Sequence, residues 1–127
     1  MEKKNTYFVD IDGTIFFYRQ FDTYLTSEAQ VIKKSKLFLQ QVRDEGHKII
    51  LTTARPNDLR VHTEYELQVN NIPYDELVMG IGRGTRYLIN DMDPDKPNLK
   101  RAIGVNILRD SGITPISLKE HYYEKEI

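Results

Sequence analysis

The chain has 127 residues, a formal net charge of −1 and no cysteine, which excludes a disulfide scaffold, a thiolate metal site and thiol catalysis. Its apolar fraction of 39% and charged fraction of 29% are typical of one soluble globular domain, and we take residues 1–127 as that domain. The near-neutral charge argues against a protein whose main task is to hold long nucleic acids, although a local contact with nucleic acid stays open.

The first half of the chain alternates short apolar runs with a stretch of helical periodicity. Residues 7–11 form a β-prone run that breaks at Gly13, as a buried strand ending in a turn would. A capping box at residues 27–30 predicts the start of a helix that we expect to stop at Gly46. Residues 48–53 then form the second predicted strand.

The second predicted helix ends at the Asn-Asn-Ile-Pro stretch of residues 70–73. Asn57 or Asp58 can cap its start. Its apolar positions include Val61, Tyr65 and Val69. Three further apolar runs, each predicted to be a strand, cover residues 76–79, 87–90 and 102–108.

The predicted order of elements is therefore β-α-β-α-β-β-β. Strands that alternate with helices indicate an α/β fold with a mostly parallel central sheet, because parallel strands need long crossover connections. Ligands of such sheets bind beyond the carboxyl ends of the strands. The stretches that end or follow predicted strands are residues 10–14, 52–55, 80–83 and 90–95. We expect the functional site to be built from them.

Two carboxylates, Asp10 and Asp12, lie two residues apart at the end of the first predicted strand. Gly13 allows the chain to turn sharply and lets its backbone approach an anion. Two acids this close repel each other unless a cation lies between them or one holds a proton. A hard cation such as Mg²⁺, which takes oxygen ligands, suits this arrangement.

The Asp-x-Asp-Gly-Thr pattern of residues 10–14 resembles the first motif of the haloacid dehalogenase superfamily, in its phosphatase branch. Thr53 is similar to the Ser or Thr of the second motif, which hydrogen-bonds the phosphoryl group, with Thr52 as the alternative. Asp91 resembles the fourth-motif acid that completes the metal site. The resemblance implies a Rossmann-like three-layer sandwich, and the gaps between the motifs are too short for a full cap domain.

Two positions depart from the family pattern. Asn90 stands where the fourth motif usually has a second acid or a glycine, and it brings no charge. The third motif is normally a Lys or Arg that braces the phosphate, and Arg83 is the substitute we prefer. Arg86 is the second choice, because in an extended strand it would lie about 16 Å from Asp91. Arg55 is either a surface charge or a phosphate contact.

The mechanism that the resemblance implies is attack on phosphorus by Asp10, giving an aspartyl phosphate that water hydrolyses. Asp12 would act first as the acid and then as the base. Mg²⁺ would be held by the Asp10 carboxylate, the backbone carbonyl of Asp12 and Asp91, while Thr53 and Arg83 bind the phosphoryl oxygens.

The sequence does not decide between several classes of substrate. Residues 88–95 and the Arg101–Asn106 region resemble small phosphatases of capsule or surface-polysaccharide synthesis, which implies a phosphorylated sugar or a similar metabolite. The enzyme alternative is a nucleotidase or polynucleotide-end phosphatase, and the non-enzyme alternative is a phosphate- or metal-binding module. We expect either a large substrate or a second copy of the chain to cover the open site.

Five aromatic residues follow the first motif, and we expect them to pack this segment onto the core and to border the site. They are Phe16, Phe17, Tyr18, Phe21 and Tyr24. The apolar runs are too short to span a bilayer, and the first residues lack the apolar core of a secretion signal. We therefore expect a cytoplasmic protein with no membrane partner.

Overall fold

The computed structural model of the chain describes residues 4–115 and residue 118. Strands and helices alternate in the order β1 (Thr6–Asp10), α1 (Lys33–Asp44), β2 (Lys48–Thr52), α2 (Arg60–Val69) and β3 (Glu76–Val78), with a 3₁₀ turn at Asn57–Leu59 before α2. The strands form one parallel sheet in the order β1-β2-β3. The α/β, Rossmann-like fold with a parallel sheet is therefore confirmed. No helix in the described part of the chain is long and apolar enough to cross a membrane.

The strand register produces one continuous row of core side chains. Val9 pairs with Leu51, and Leu51 pairs with Leu77, so three buried aliphatic residues lie side by side across the sheet. Buried Phe38 and Leu39 of α1 belong to the same apolar cluster. Apolar burial of this kind is the main stabilising contribution to the fold.

Helix α1 starts later than its predicted capping box at residues 27–30. Ile32 is its N-cap, with extended backbone and no side-chain cap, and the Ser27 hydroxyl instead donates to the Thr23 carbonyl at 2.8 Å. The Ile32 amide donates to the Ile15 carbonyl at 2.7 Å, which keeps this backbone extended. The predicted stop is confirmed, because α1 ends at Asp44 and Gly46 has a φ of +87°.

Helix α2 buries a different face from the one its apolar residues predicted. Val61 is 82% exposed, and Tyr65 and Val69 are exposed as well. The buried positions are Thr63, Glu66 and Leu67. Glu66 occupies the inward face because it pairs with a buried arginine of the site. This ion pair and the burial of Leu67 in the apolar core together fix the orientation of α2.

The strands predicted at residues 87–90 and 102–108 are wrong, because neither run is a strand in the structure. Residues 87–89 are exposed. Between the two runs lies a proline-containing stretch in which the Lys96 amide donates to the Asp93 carbonyl at 3.0 Å. The apolar side chains predicted strands, but apolar character alone does not supply a pairing partner, and β1 has no second neighbour among the described strands.

Candidate active site

The carboxyl ends of the three strands meet at one edge of the sheet. Asp10 pairs with Thr52, and Thr52 pairs with Val78, so the segments that follow the strands leave the sheet side by side. The Thr53 amide donates to the Val78 carbonyl at 3.0 Å, and the Gly80 amide donates to the Arg55 carbonyl at 2.8 Å. These bonds fix the segments after β2 and β3 to each other.

The segment after β1, which we call the acidic turn (residues 10–14), is a tight backbone loop. The Ile11 carbonyl accepts from the amides of residues 14, 15 and 16 at 3.2, 2.8 and 3.1 Å. Gly13 has a φ of +87°, a backbone conformation that residues other than glycine rarely adopt. The Asp110 amide donates to the Gly13 carbonyl at 2.8 Å, so a distant part of the chain also holds this turn.

Asp10 is a partly buried carboxylate at the start of the acidic turn. The Thr14 hydroxyl donates to its Oδ2 at 3.3 Å. Burial raises the pKa of Asp10, the Arg86 guanidinium opposes this shift, and the Asp12 carboxylate adds to it. Arg86 therefore lies within electrostatic reach of Asp10, although its position in the sequence made it the second choice.

Asp12 is held by a forked ion pair with Arg55. The Arg55 Nε and Nη2 atoms donate to Oδ2 and Oδ1 of Asp12 at 2.9 and 2.8 Å, which is the strong bidentate geometry of arginine and carboxylate. Arg55 Nη1 donates to Thr63 at 3.0 Å and to Glu66 at 2.8 Å. Arg55 is fully buried, so its guanidinium is engaged inside the protein rather than exposed to a ligand.

Glu66 extends this pairing to the segment that follows the acidic turn. Two nitrogens of Arg19 donate to its two oxygens at 3.0 Å each. We call Asp12, Arg55, Glu66 and Arg19 the charged network. Its four side chains are no more than 11% exposed, and two positive and two negative charges balance.

Tyr24 packs against the charged network. Its ring centroid lies 4.2 Å from the Arg55 Cζ and 5.1 Å from the Arg19 Cζ. Burial raises the pKa of Tyr24 to about 12, and the neighbouring Asp12 contributes through its charge and a hydrogen bond. The Tyr24 hydroxyl beside Asp12 therefore stays protonated at neutral pH and can donate a hydrogen bond.

The sequence alone did not identify Arg19, Glu66 or the role of Tyr24 at this site. One signal was present: Thr63 and Glu66 are polar residues three positions apart, which places them on one face of a helix. That face proved to be the buried one. Nothing in the sequence near Arg19 indicates its partner, which lies 47 residues away.

Thr53 is almost completely buried, whereas Thr52 is half-buried within β2. The Thr53 hydroxyl oxygen accepts from the Arg55 amide at 3.1 Å. Because that oxygen is an acceptor in this contact, its own hydrogen stays available to donate.

Arg83 and the fourth-motif residues lie on the irregular segment after β3. The Arg83 Cζ lies 4.4 Å from the Phe21 ring centroid. Asn90 and Asp91 are exposed. Because residues 87–90 are not a strand, the extended spacing that ranked Arg86 behind Arg83 does not apply.

Four of the five aromatic residues after the acidic turn divide into two groups, and the fifth, Phe21, is partly exposed. Phe16 and Tyr24 are buried, as expected for core packing, whereas Phe17 and Tyr18 are exposed. The Tyr18 amide donates to Asp110 Oδ1 at 2.7 Å, so this segment and the segment around Asp110 are joined beside the acidic turn.

The oxygen donors for a magnesium ion are present in part. The Asp10 carboxylate is a hard oxygen ligand, and within the described chain no backbone amide donates to the Asp12 carbonyl oxygen. These two groups fit Mg²⁺. Among residues 4–115 and 118, however, no group of three acidic, histidine or cysteine side chains could hold a metal, so Asp91 is not gathered with Asp10 and Asp12.

Three solved structures are similar to this chain. A chain of the Pnkp1/Rnl/Hen1 complex is 25% identical with a TM-score of 0.55, over 66% of this chain and 30% of that one. A chain of the Pnkp1/Rnl/Hen1 RNA repair complex is 25% identical with a TM-score of 0.54, over 73% and 28%. This protein thus spans less than a third of those chains. A target protein from Vibrio cholerae is 17% identical with a TM-score of 0.55, over 97% and 99%, which supports the fold alone.

A search of curated protein sequences found no significant match. The family profile described as haloacid dehalogenase-like hydrolase matches residues 7–75, which is more than half of the chain. This region runs from β1 through α2 and contains the acidic turn, Thr53 and the whole charged network. The chain belongs to the haloacid dehalogenase-like hydrolases.

Proposed function

We propose that this hydrolase is a magnesium-dependent phosphomonoesterase that forms an aspartyl phosphate on Asp10. The observation that carries the proposal is the unequal setting of its two carboxylates. Among the described side chains, Asp10 accepts a hydrogen bond only from the Thr14 hydroxyl, while Asp12 is held by the Arg55 fork. Two acids in different environments suit two different chemical roles.

In the proposed first step, an Asp10 carboxylate oxygen bonds to phosphorus as the bond from phosphorus to the leaving oxygen breaks. This step needs a protonated Asp12, so substrate binding would have to release one of its oxygens from the Arg55 fork. That protonated oxygen then gives its proton to the leaving oxygen. In the second step, water attacks the phosphorus of the aspartyl phosphate, Asp12 takes the proton from water, and the Asp10 carboxylate and inorganic phosphate are released. A forked arginine contact suits the ionised Asp12 that this second step needs.

We assign the binding of the phosphoryl oxygens to Thr53 and Arg86. The Thr53 hydroxyl hydrogen is available for donation, because its oxygen accepts from Arg55. The electrostatic influence of Arg86 on Asp10 favours it over Arg83 as the cation that braces the transferring group. Arg55 is a positioning residue in this scheme, since its nitrogens are occupied by protein groups.

Magnesium would be held by the Asp10 carboxylate and the Asp12 backbone carbonyl. The third ligand that the family resemblance implies, Asp91, is not gathered with them in this structure and would have to move to join the ion. When bound, the ion reduces the repulsion between the Asp10 carboxylate and the phosphate. The protein groups alone supply the nucleophile, the acid and base, and the phosphate donors.

For the substrate, a phosphorylated sugar or similar metabolite follows from the likeness to small, uncapped phosphatases of capsule or surface-polysaccharide synthesis. A second candidate, a polynucleotide-end phosphatase, is supported by the likeness to chains of an RNA repair complex. A non-catalytic binding module is disfavoured, because a binding module needs neither the nucleophile Asp10 nor the acid Asp12.

Replacement of each acid by its amide tests the proposed roles. Asp10→Asn should be inactive, because an amide is a poor nucleophile, whereas Asp12→Asn should lose roughly a hundred- to ten-thousand-fold in rate. With nitrophenyl phosphate, whose leaving group needs little protonation, Asp12→Asn should accumulate phosphate on Asp10. Acid-quenched mass spectrometry measures this directly. Full turnover by Asp10→Asn, or a phosphoryl group found on Asp12 in the wild-type protein, would overturn the proposal.

A further inference from the structure

Two exposed arginines beside the site stack on aromatic rings instead of pairing with acids. The Arg109 Cζ lies 3.7 Å from the Tyr18 ring centroid, and the Arg83 Cζ lies 4.4 Å from that of Phe21. In the part of the chain that the structure describes, neither guanidinium forms an ion pair. We call Arg83, Arg109, Tyr18 and Phe21 the arginine rim.

The Arg109 half of the rim touches the acidic turn. A Cβ placed on Gly13 would lie 3.2 Å from the Arg109 Cγ, so the arginine side chain crosses directly over this glycine. The neighbouring Asp110 fixes it there, because its amide donates to the Gly13 carbonyl and its carboxylate accepts from the Tyr18 amide.

The Arg83 half is joined to the site through aromatic contacts. Phe21, beneath Arg83, meets Tyr24 edge to face at a centroid distance of 6.0 Å. Tyr24 in turn lies 4.2 Å from the Arg55 Cζ. Both halves of the rim are therefore connected to the groups that hold Asp12 and Gly13.

The rim carries more positive charge than one phosphate requires. The reacting phosphate already has Arg86 and Thr53 in the proposed scheme, which leaves Arg83 and Arg109 without an assigned partner. A guanidinium stacked on a ring keeps its N–H edge free, and that edge matches phosphate oxygens. The exposed Tyr18 ring beside Arg109 can also stack a nucleic-acid base.

We propose that the arginine rim binds the phosphodiester backbone of a single-stranded nucleic acid whose terminal phosphate lies at Asp10. This inference rests on the proposed phosphatase function and selects among its substrates, because a sugar carrying one phosphate has no second phosphate for the rim to bind. The chain's net charge of −1 limits the contact to a few phosphates at the end of a strand.

The test measures binding separately from turnover. In the Asp10→Asn background, fluorescence anisotropy would compare a terminally phosphorylated mononucleotide with single strands of two, four and eight nucleotides, phosphorylated at either the 3′ or the 5′ end. The longer strands should bind about tenfold or more tightly. For two added phosphate contacts, the slope of log affinity against log salt should steepen by about 1.4.

Arg109→Ala and Arg83→Ala should each remove about 0.7 from that slope and about half of the logarithmic gain in affinity with length. Arg101→Ala is the matched control, because Arg101 is also exposed but lies over no ring among the described residues; it should bind like the parent. A nucleoside bisphosphate is a further ligand in the comparison, because it carries a second phosphate but has no phosphodiester backbone.

Equal affinity for the mononucleotide and the longer strands, or an unchanged gain with length in Arg109→Ala, would overturn the rim proposal. Binding of the nucleoside bisphosphate as tightly as the strands would overturn the assignment to a strand. If the strands bind as expected but the wild-type protein with Mg²⁺ hydrolyses neither their ends nor nitrophenyl phosphate, the rim stands and the proposed phosphatase function fails.

Discussion

At the scale of single residues, Arg55 differs most from what its position in the sequence suggests. It follows Thr53 directly after a strand, where a phosphate contact is expected, yet its Nε and two Nη atoms all bond to protein groups. Arg55 therefore acts on a ligand only through the side chain of Asp12. Replacement of Arg55 should alter how Asp12 is aimed rather than how tightly substrate binds.

Arg55→Lys keeps the charge but cannot form the fork. We expect kcat on an alkyl phosphate to fall about a hundredfold with KM nearly unchanged, because small misplacements of a catalytic group cost rate. Steady-state kinetics measures the split, and circular dichroism checks the fold. Arg43→Lys, an exposed arginine at 3.6 Å from Asp75, should change neither constant. A raised KM with normal kcat would mean that Arg55 contacts substrate.

At the scale of elements, Glu66 helps to orient α2. Burial alone would raise the pKa of this carboxyl, but hydrogen bonds from Arg19 and Arg55 hold it below its ordinary value. A lowered pKa in the folded state stabilises the protein above the unfolded value of about 4.3, and this stabilisation is lost as the pH falls through the folded value.

Glu66→Gln should therefore reduce the free energy of unfolding at pH 7 by about 3–5 kcal/mol, because two buried arginines lose their shared partner. The variant should also lose less stability than the wild type as the pH falls below about 4.3. Urea titrations at pH 7, 5, 4 and 3 measure both effects. Glu64→Gln, on the same helix in an exposed pair with Arg60, should change stability by less than about 0.5 kcal/mol. Parallel pH curves for wild type and Glu66→Gln would contradict this account.

The sequence predicted well those elements that are determined by neighbouring residues, and it missed those that depend on residues far away in the chain. The three strands of the sheet carry apolar runs bounded by turn residues, and α1 stops at Gly46 because a glycine permits the positive φ found there. The face of α2 and the absence of strands at residues 87–90 and 102–108 depend on distant partners. Asp10 ends β1, and Asp12 and Thr53 follow strand ends, so their position at this edge of the sheet was predictable, whereas Arg19 pairs across 47 residues.

At the scale of the whole molecule, a net charge of −1 conceals an uneven distribution. The charged network cancels its own charges inside the protein, while the arginine rim leaves positive charge exposed beside the acidic turn. A metal ion at Asp10 would add further positive charge at the same edge of the sheet. The overall charge is therefore a poor guide to the anions that this edge attracts.

Activity should require a divalent cation, with Mg²⁺ better than Ca²⁺. The larger calcium ion is coordinated irregularly and can take both oxygens of Asp10, which would remove the attacking atom. Phosphate release measured in excess chelator, and after addition of each metal, tests this expectation. Full activity in chelator would contradict it.

The predicted third ligand has a test of its own within the same assay. Asp91→Asn should raise the Mg²⁺ concentration needed for half-maximal rate. Asp95→Asn is the control, because Asp95 lies in a turn in which its amide donates to Asp93 Oδ1 at 2.9 Å. An identical magnesium requirement in both variants would remove Asp91 from the metal site.

The charged network has a consequence for how this protein can vary. Two arginines and two acids that are largely buried together form a neutral group, so the loss of any one member leaves a mostly buried charge without its partner. Packed apolar side chains of similar volume can often replace such a group without loss of stability. Folding alone therefore gives little reason to keep these four charges. In the proposed scheme these charges serve to orient Asp12, and substitutions among them should be tolerated only in compensating combinations.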